Sequence, residues 1–265
     1  MSSTTVRHPK GPPALKSDRQ AAPFLRAFFD SSVGAKVTVA LTGLGLAGFS
    51  VFHMIGNLKV FQGPDAINSY AHFLTHSLGA LLWIARAGLL AIFLLHLALA
   101  IRLKLRSRAA RPIGYAYPGS VQATVSSRTM IWSGAVVGLF VLFHLAHFTL
   151  LGLQSVEVEP GKVVNYLELK DKDGRHDVYN MVVAGFTTPW LAVLYIVAQV
   201  VLFVHLLHGV QSAFQTLGLK NNRFAPLIRL LGVAIAATIL VGNLGIVIGV
   251  WAGLAPPLLL YGKAL

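Results

Sequence analysis

Met130–Leu153 reads MIWSGAVVGLFVLFHLAHFTLLGL, a run with no Asp, Glu, Lys or Arg that nevertheless carries two histidines, His144 and His147. Crossing a hydrocarbon core of ~30 Å takes an α-helix of ~20 residues. In lipid the backbone must satisfy its own polar groups, so a run of this length and composition is a helix. Four more apolar segments accompany it: Lys36–Leu58, Leu81–Leu103, Pro189–Phe214 and Leu227–Leu254. The expected fold is an all-α membrane protein, a bundle of five transmembrane helices.

Composition agrees. Of 265 residues, 55% are hydrophobic and only 12% are charged, which is too apolar for an ordinary soluble domain. There is no cysteine, which excludes disulfides, thiolate nucleophiles and iron–sulfur ligation by this chain. Residues 1–30 form a basic, proline-containing tail in which Ala21–Phe29 is a candidate surface helix. Residues 31–257 make the membrane domain, and residues 258–265 a short C-terminal tail. The stretch 155–177 is a polar loop in which strand-like Val163–Leu169, flanked by Gly161 and Gly174, predicts a small hairpin.

The net charge of +13 is distributed as topology rather than as a nucleic-acid surface. Lys104, Arg106, Arg108, Arg111 and Arg128 lie between the second and third segments, and Lys220 and Arg223 between the fourth and fifth. Glu157, Glu159, Glu168, Asp171, Asp173 and Asp177 lie between the third and fourth. The positive-inside rule puts the N-terminus and the basic connections in the cytoplasm and the 155–177 loop outside.

Each of the first four segments holds a histidine past its midpoint: His53, His96, His144 and His205. An ionisable side chain at membrane depth is costly and is a functional-site hypothesis by default. Each lies roughly 8–13 Å from the nearer helix end at 1.5 Å rise per residue. Because helices alternate in direction, depth sorts them into an outer pair, His53 with His144, and an inner pair, His96 with His205. Two imidazoles at each of two depths suit haem iron, whose other ligands come from the macrocycle. Zinc would need more protein ligands than these levels offer. His147 and His208 each follow a candidate by three residues and share part of its face, so spacing leaves the choice within each couple open. A proton relay through the histidines, as in a transporter, is the alternative from another class.

The runs His53-Met-Ile-Gly-Asn-Leu58, Gly63-Pro-Asp-Ala-Ile-Asn-Ser-Tyr-Ala71, Ala110-Arg-Pro-Ile-Gly-Tyr115, Ser127-Arg-Thr-Met-Ile-Trp-Ser133, Phe143-His-Leu-Ala-His-Phe148 and His205-Leu-Leu-His-Gly-Val-Gln-Ser212 belong together. In combination they resemble the dihaem cytochrome b subunit (b558 type) of bacterial succinate dehydrogenase/fumarate reductase, over about Val33–Leu254. The resemblance implies a five-helix domain with two haems b, N-terminus inside, in the bacterial cytoplasmic membrane. It implies His53 and His144 on the outer iron and His96 and His205 on the inner iron, with Gly209 four residues after the last. The implied function is a membrane anchor of succinate:quinone oxidoreductase. Such an anchor carries electrons between an iron–sulfur subunit, backed by a flavoprotein, and menaquinone or another quinone, and its complex can form a higher oligomer. A cytochrome b of another membrane dehydrogenase is the nearest rival. Some members carry a glutamate two residues before the fourth ligand; here that position is Phe203, which does not support a proton route there.

Further residues follow. Arg128 with Ser127, and more weakly Lys36, are candidates for the inner haem's propionates, and Arg86 for the outer haem's, against snorkelling to the interface as the plain reading. His147 and His208 are candidates for supporting the ligands, binding a propionate or lining the quinone site, against polar packing residues as the plain reading. An outer-side quinone site is expected from His72, His76, Tyr70 and Asn57, with Asn68 nearby, on an amphipathic stretch that otherwise reads as an interfacial helix. Arg102–Arg111 is the expected docking surface for the iron–sulfur subunit. Asn243 in the fifth segment reads as interhelical packing.

Overall fold

The computed structural model describes residues 24–110, 124–152, 155–159 and 161–255. The tail up to residue 23, the Arg111–Tyr115 part of the docking motif and the C-terminal tail 258–265 lie outside the described residues.

Five helical spans are long and apolar enough to cross a membrane: Ser32–Gln62, Gly79–Ala109, Val125–Leu150, Pro189–Thr216 and Ala225–Trp251. The chain is a multi-pass helical membrane protein. Within these spans the regular helices are α2 (Ser32–Asn57), α4 (Gly79–Ala109), α5 (Val125–Leu145), α7 (Pro189–Thr216) and α8 (Ala225–Trp251). Shorter elements are α1 (Phe24–Asp30), α3 (Pro64–His72) and α6 (Val178–Thr187), with strands β1 (Ser155–Glu159) and β2 (Lys162–Asn165).

Side-chain caps and basic residues set the starts of α2 and α5 and the end of α4, which overrun the apolar runs. α5 starts at Val125, before Met130, because Thr124 Oγ1 accepts the Ser127 amide at 3.2 Å and satisfies an orphan first-turn donor. α2 starts on Ser31, whose Oγ accepts the Gly34 amide at 2.8 Å. α4 continues to Ala109 and sends its arginines back to α1. Arg102 Nη1 donates to Phe29 O at 2.9 Å, Arg106 Nη1 donates to Asp30 O at 2.7 Å, and Arg102 Nη2 donates to the Asp30 carboxylate. The Arg102 hydrogen bond holds the Asp30 carboxyl below its ordinary value. Part of the expected docking surface is thus committed to an internal clasp.

The starts of α2, α5 and α8 and the ends of α4 and α7 share one end of the bundle, the basic end; the hairpin marks the other. α2 lies against α4 and α7, α5 against α7, and α8 covers α2 and α7, while α4 and α5 scarcely meet. Only 6% of the most apolar window of α4 or α5 is buried, against 33% in α7 and α8. The tight core therefore runs along α2, α7 and α8, through Ala47, Leu206, Val210, Ala236 and Ile239. Asn243 of α8 donates to Gln199 Oε1 of α7 at 2.9 Å, a polar tie consistent with the packing role expected for it.

The hairpin end is a polar cap. Its hairpin forms, but not over the predicted strand: β2 stops at Asn165 instead of running to Leu169. Asn165 Oδ1 accepts the Leu167 amide at 2.9 Å and its Nδ2 donates to Gly152 O at 2.6 Å, so the side chain turns the backbone into a short 3₁₀ turn. The hairpin also qualifies the all-α expectation. Helix α6 went unforeseen, because its apolar residues lie between a polar loop and Pro189 and are too few to span. Tyr179 to Phe186 are all buried. Asn68 of α3 is buried and ties α3 to α6: its Nδ2 donates to Asp177 Oδ1 at 3.3 Å and its Oδ1 accepts the Tyr179 amide at 3.0 Å. Arg175 reaches Asp65, Asp171, Asp173 and Ser69 at 2.6–2.8 Å.

Candidate cofactor site

The four expected histidines meet in two pairs at two levels. In the hairpin half, the His53 and His144 rings stand 5.7 Å apart between centroids, with planes at 90°. In the basic half, His96 is held against α2 and His205 against α5. Along α2 the two levels, marked by Val39–Thr42 and by His53, are separated by roughly 16–21 Å at 1.5 Å per residue.

Hydrogen bonds assign the tautomers in the basic half. His96 Nδ1 lies 3.1 Å from Val39 O and 3.1 Å from Thr42 Oγ1. A carbonyl only accepts, and the Thr42 hydroxyl gives its one hydrogen to Thr38 O at 2.7 Å, so both accept from His96 Nδ1–H. His205 Nδ1 lies 3.2 Å from Ser133 Oγ, which donates to Met130 O at 3.1 Å and is likewise left as an acceptor. In both rings Nε2 is then the bare nitrogen. That is how ligating histidines are oriented, the far nitrogen being held by a second group.

The hairpin half works differently. Tyr195 Oη lies 3.2 Å from His144 Nδ1 and 2.9 Å from His147 Nδ1. His53 stacks on Phe49 at 5.4 Å, and among the described residues nothing hydrogen-bonds its ring. Residues Ala146–Leu150 form a π turn, closed by Leu151 N to Ala146 O at 3.0 Å, which rephases His147 against His144. His147 is 2% exposed and lies on the Phe148 ring at 4.0 Å, whereas His144 is half-buried with its ring 5.7 Å from that of His53. No sequence signal marked Tyr195: it lies ten positions before His205 and reads as one more lipid-span aromatic.

The spacing of the His53 and His144 rings suits one haem iron between them. Two imidazoles on one iron stand about 6 Å apart between ring centres for metal–nitrogen bonds of about 2 Å. Glycines back the basic-half rings. A Cβ on Gly43 would stand 3.0 Å from His96 Cε1, and one on Gly134 3.2 Å from His205 Cε1. Gly48 and Gly138, on the same two helices, would meet nothing within 4 Å. Among the described residues no three His, Asp or Glu side chains gather around one point.

The accessory residues scatter. Ser127 gives its amide to the Thr124 cap at the start of α5, beside exposed Arg128. Arg86 is exposed with its guanidinium 4.9 Å over Trp83, and Lys36 is exposed. His208 lies in electrostatic reach of His205 and Lys220, and a Cβ on Gly209 would touch Met130 at 3.4 Å. Asn57 Nδ2 donates to His53 O at 3.0 Å, and Tyr70 packs on Gly56 with Lys59 5.7 Å over its ring. His72 and His76 are exposed and stacked at 4.0 Å, with Thr75 Oγ1 3.0 Å from His76 Nδ1. Tyr70 and Asn57 thus stand at the end of α2 beside His53, while His72 and His76 lie on the exposed face of the cap. Asn68 is committed to holding α3 on α6.

No protein-family model, characterised protein or solved structure matches the chain.

Proposed function

We propose that the chain is the electron-transferring membrane anchor of a succinate:quinone oxidoreductase. One observation carries this reading: two histidine pairs at separate depths of one bundle, with the basic-half rings held through Nδ1 so that Nε2 is bare. The motif resemblance supplies the choice of partners, namely an iron–sulfur subunit and, beyond it, a flavoprotein. The charge distribution supports a cytoplasmic basic end.

His96 and His205 would hold one haem b and His53 and His144 the other. Bound there, the haems would supply one-electron carriers at two depths with no open coordination position. The chain's own residues do the rest. Thr42, Val39 and Ser133 orient the inner rings, Gly43 and Gly134 leave room behind them, and α8 closes the bundle without contributing a histidine. Electrons from the cytoplasmic subunit would enter at the inner pair and leave from the outer pair. Quinone is expected near Asn57 and Tyr70, with His72 and His76 on the same side.

The test is the visible spectrum of the complex purified from its native membrane. A b-type spectrum titrating in two redox waves and reduced by succinate supports the proposal. A colourless protein overturns it. Haem that succinate leaves oxidised, in a complex lacking a flavoprotein, assigns the chain to another dehydrogenase.

A further inference from the structure

The Tyr195 phenol stands between two imidazoles, those of His144 and His147. It is 4% exposed and ringed by Phe140, Phe143, Phe148 and Phe186, with ring centroids 5.0–6.2 Å away. Its two hydrogen bonds go to His144 Nδ1 and His147 Nδ1. A phenol has one hydrogen to give, so it cannot donate to both. Within that aromatic cage the described residues offer the hydroxyl hydrogen no acceptor besides these nitrogens. The lengths separate the roles: 2.9 Å to His147 suits O–H donation, and 3.2 Å to His144 suits the longer N–H donation toward oxygen.

We propose that Tyr195 is the positioning residue of the outer pair, its oxygen accepting from His144 Nδ1–H while its hydrogen is given to His147 Nδ1. This rests on the haem reading above and deepens it at one site. It gives His147 a function its sequence position left open: it keeps the phenol's hydrogen turned away from His144. His144 then presents a bare Nε2 toward the His53 side. An acceptor on Nδ1–H raises the basicity of a ligating imidazole. A more basic ligand favours the oxidised iron, so Tyr195 lowers the potential of the outer haem. Donation to His147 polarises the phenol oxygen and strengthens it as an acceptor.

The experiment is an optical redox titration of the full complex in three forms: wild type, Tyr195→Phe and His147→Phe. The Tyr195→Phe variant removes one oxygen from the cage. Its outer wave is expected to move toward easier reduction by up to tenfold in the oxidised-to-reduced ratio at fixed ambient potential. That ratio is about 59 mV for a one-electron couple. The inner wave stays in place. In His147→Phe the outer wave moves the same way by less. An outer wave that stays put in Tyr195→Phe, with both haems retained, overturns the inference and leaves the haem reading intact. Should Tyr195→Phe fail to accumulate, an unmoved outer wave in His147→Phe overturns it equally. A wild-type complex without haem overturns both.

Discussion

The two halves of the bundle hold their histidines by opposite means. In the basic half each ring has its own acceptor, and each hydroxyl involved is already spent on its own helix: Thr42 on Thr38 O, Ser133 on Met130 O. Such an acceptor cannot change its role without breaking the helix-side bond. In the hairpin half one phenol serves two rings, and His53 has the Phe49 face and the His144 ring but, among the described residues, no hydrogen bond to its ring. There the tautomer of one histidine depends on that of another. Both levels are orientated across helices: the basic one by hydroxyls that each give their hydrogen to a carbonyl three or four positions back on their own helix, the other by one phenol of α7 shared between two rings. If both levels carry haem, the outer one is the more easily retuned by single substitutions, and the inner one the more strictly built.

The largest test of that contrast removes a ring. His96→Ala or His205→Ala is expected to abolish the inner haem while part of the outer haem remains, read as haem per complex and as loss of one redox wave. Loss of the outer wave alone would refute the pairing. Next comes the space behind the inner rings. Gly134→Val puts branched carbon against His205 Cε1, where even a Cβ would stand at 3.2 Å. The ring must shift, and inner haem content should fall severalfold, whereas Gly138→Ala, with nothing within 4 Å, should leave it unchanged. Equal losses in the two variants would break the account.

The hydroxyls should differ in degree. Ser133→Ala strips His205 Nδ1 of its one protein acceptor, and weakening of haem retention by about tenfold is expected from the loss of an orienting group on a ligand. Thr42→Val should do less, because Val39 O still accepts from His96 at 3.1 Å. Resistance of the haem to extraction by apomyoglobin would rank the two, and a larger effect at Thr42 would count against the assigned tautomer.

The smallest effect lies outside the bundle. The Arg175 hydrogen bond holds Asp65 below its ordinary value of 3.8. Asp171 is also held down: burial pushes its carboxyl up, and hydrogen bonds from Arg175, Asn68 and the Asp173 amide together outweigh it. A depressed carboxylate stabilises the fold above its unfolded value, and the contribution fades as pH falls through the lower, folded value. The cap should therefore keep its amide protection at pH 4 and lose it only in stronger acid. Arg175→Met should move that loss to higher pH. Hydrogen exchange at the Tyr179 amide would report it, and both redox waves should be insensitive to the substitution. Buried Tyr166 has its phenol pushed up to about 12, by burial first and Asp177 second, and so stays neutral throughout.

What the chain alone determined is what hydrocarbon enforces. Five spans, their alternation and the depth of four histidines follow from segment length, backbone self-satisfaction and rise per residue, and the helices fall where those rules put them. The amphipathic pattern around Asn68 and Tyr70 is met by the short helix Pro64–His72, which Asn68 ties to α6. Local chemistry that periodicity cannot see moved the boundaries: the Thr124 cap, the Asn165 side chain that ends β2, and the arginines that carry α4 past lipid length. Helix α6 was hidden because a mostly apolar ten-residue stretch before a proline looks like the approach to a span; only burial against α3, α7 and α8 makes it a helix of its own. Tertiary structure decided which nitrogen of each held ring stays bare. Tautomers depend on partners far away in sequence, Val39 for His96, Ser133 for His205 and Tyr195 for His144 and His147. Hydrophobic patterning places a ring at a depth, and only the facing helix supplies the atom that turns it.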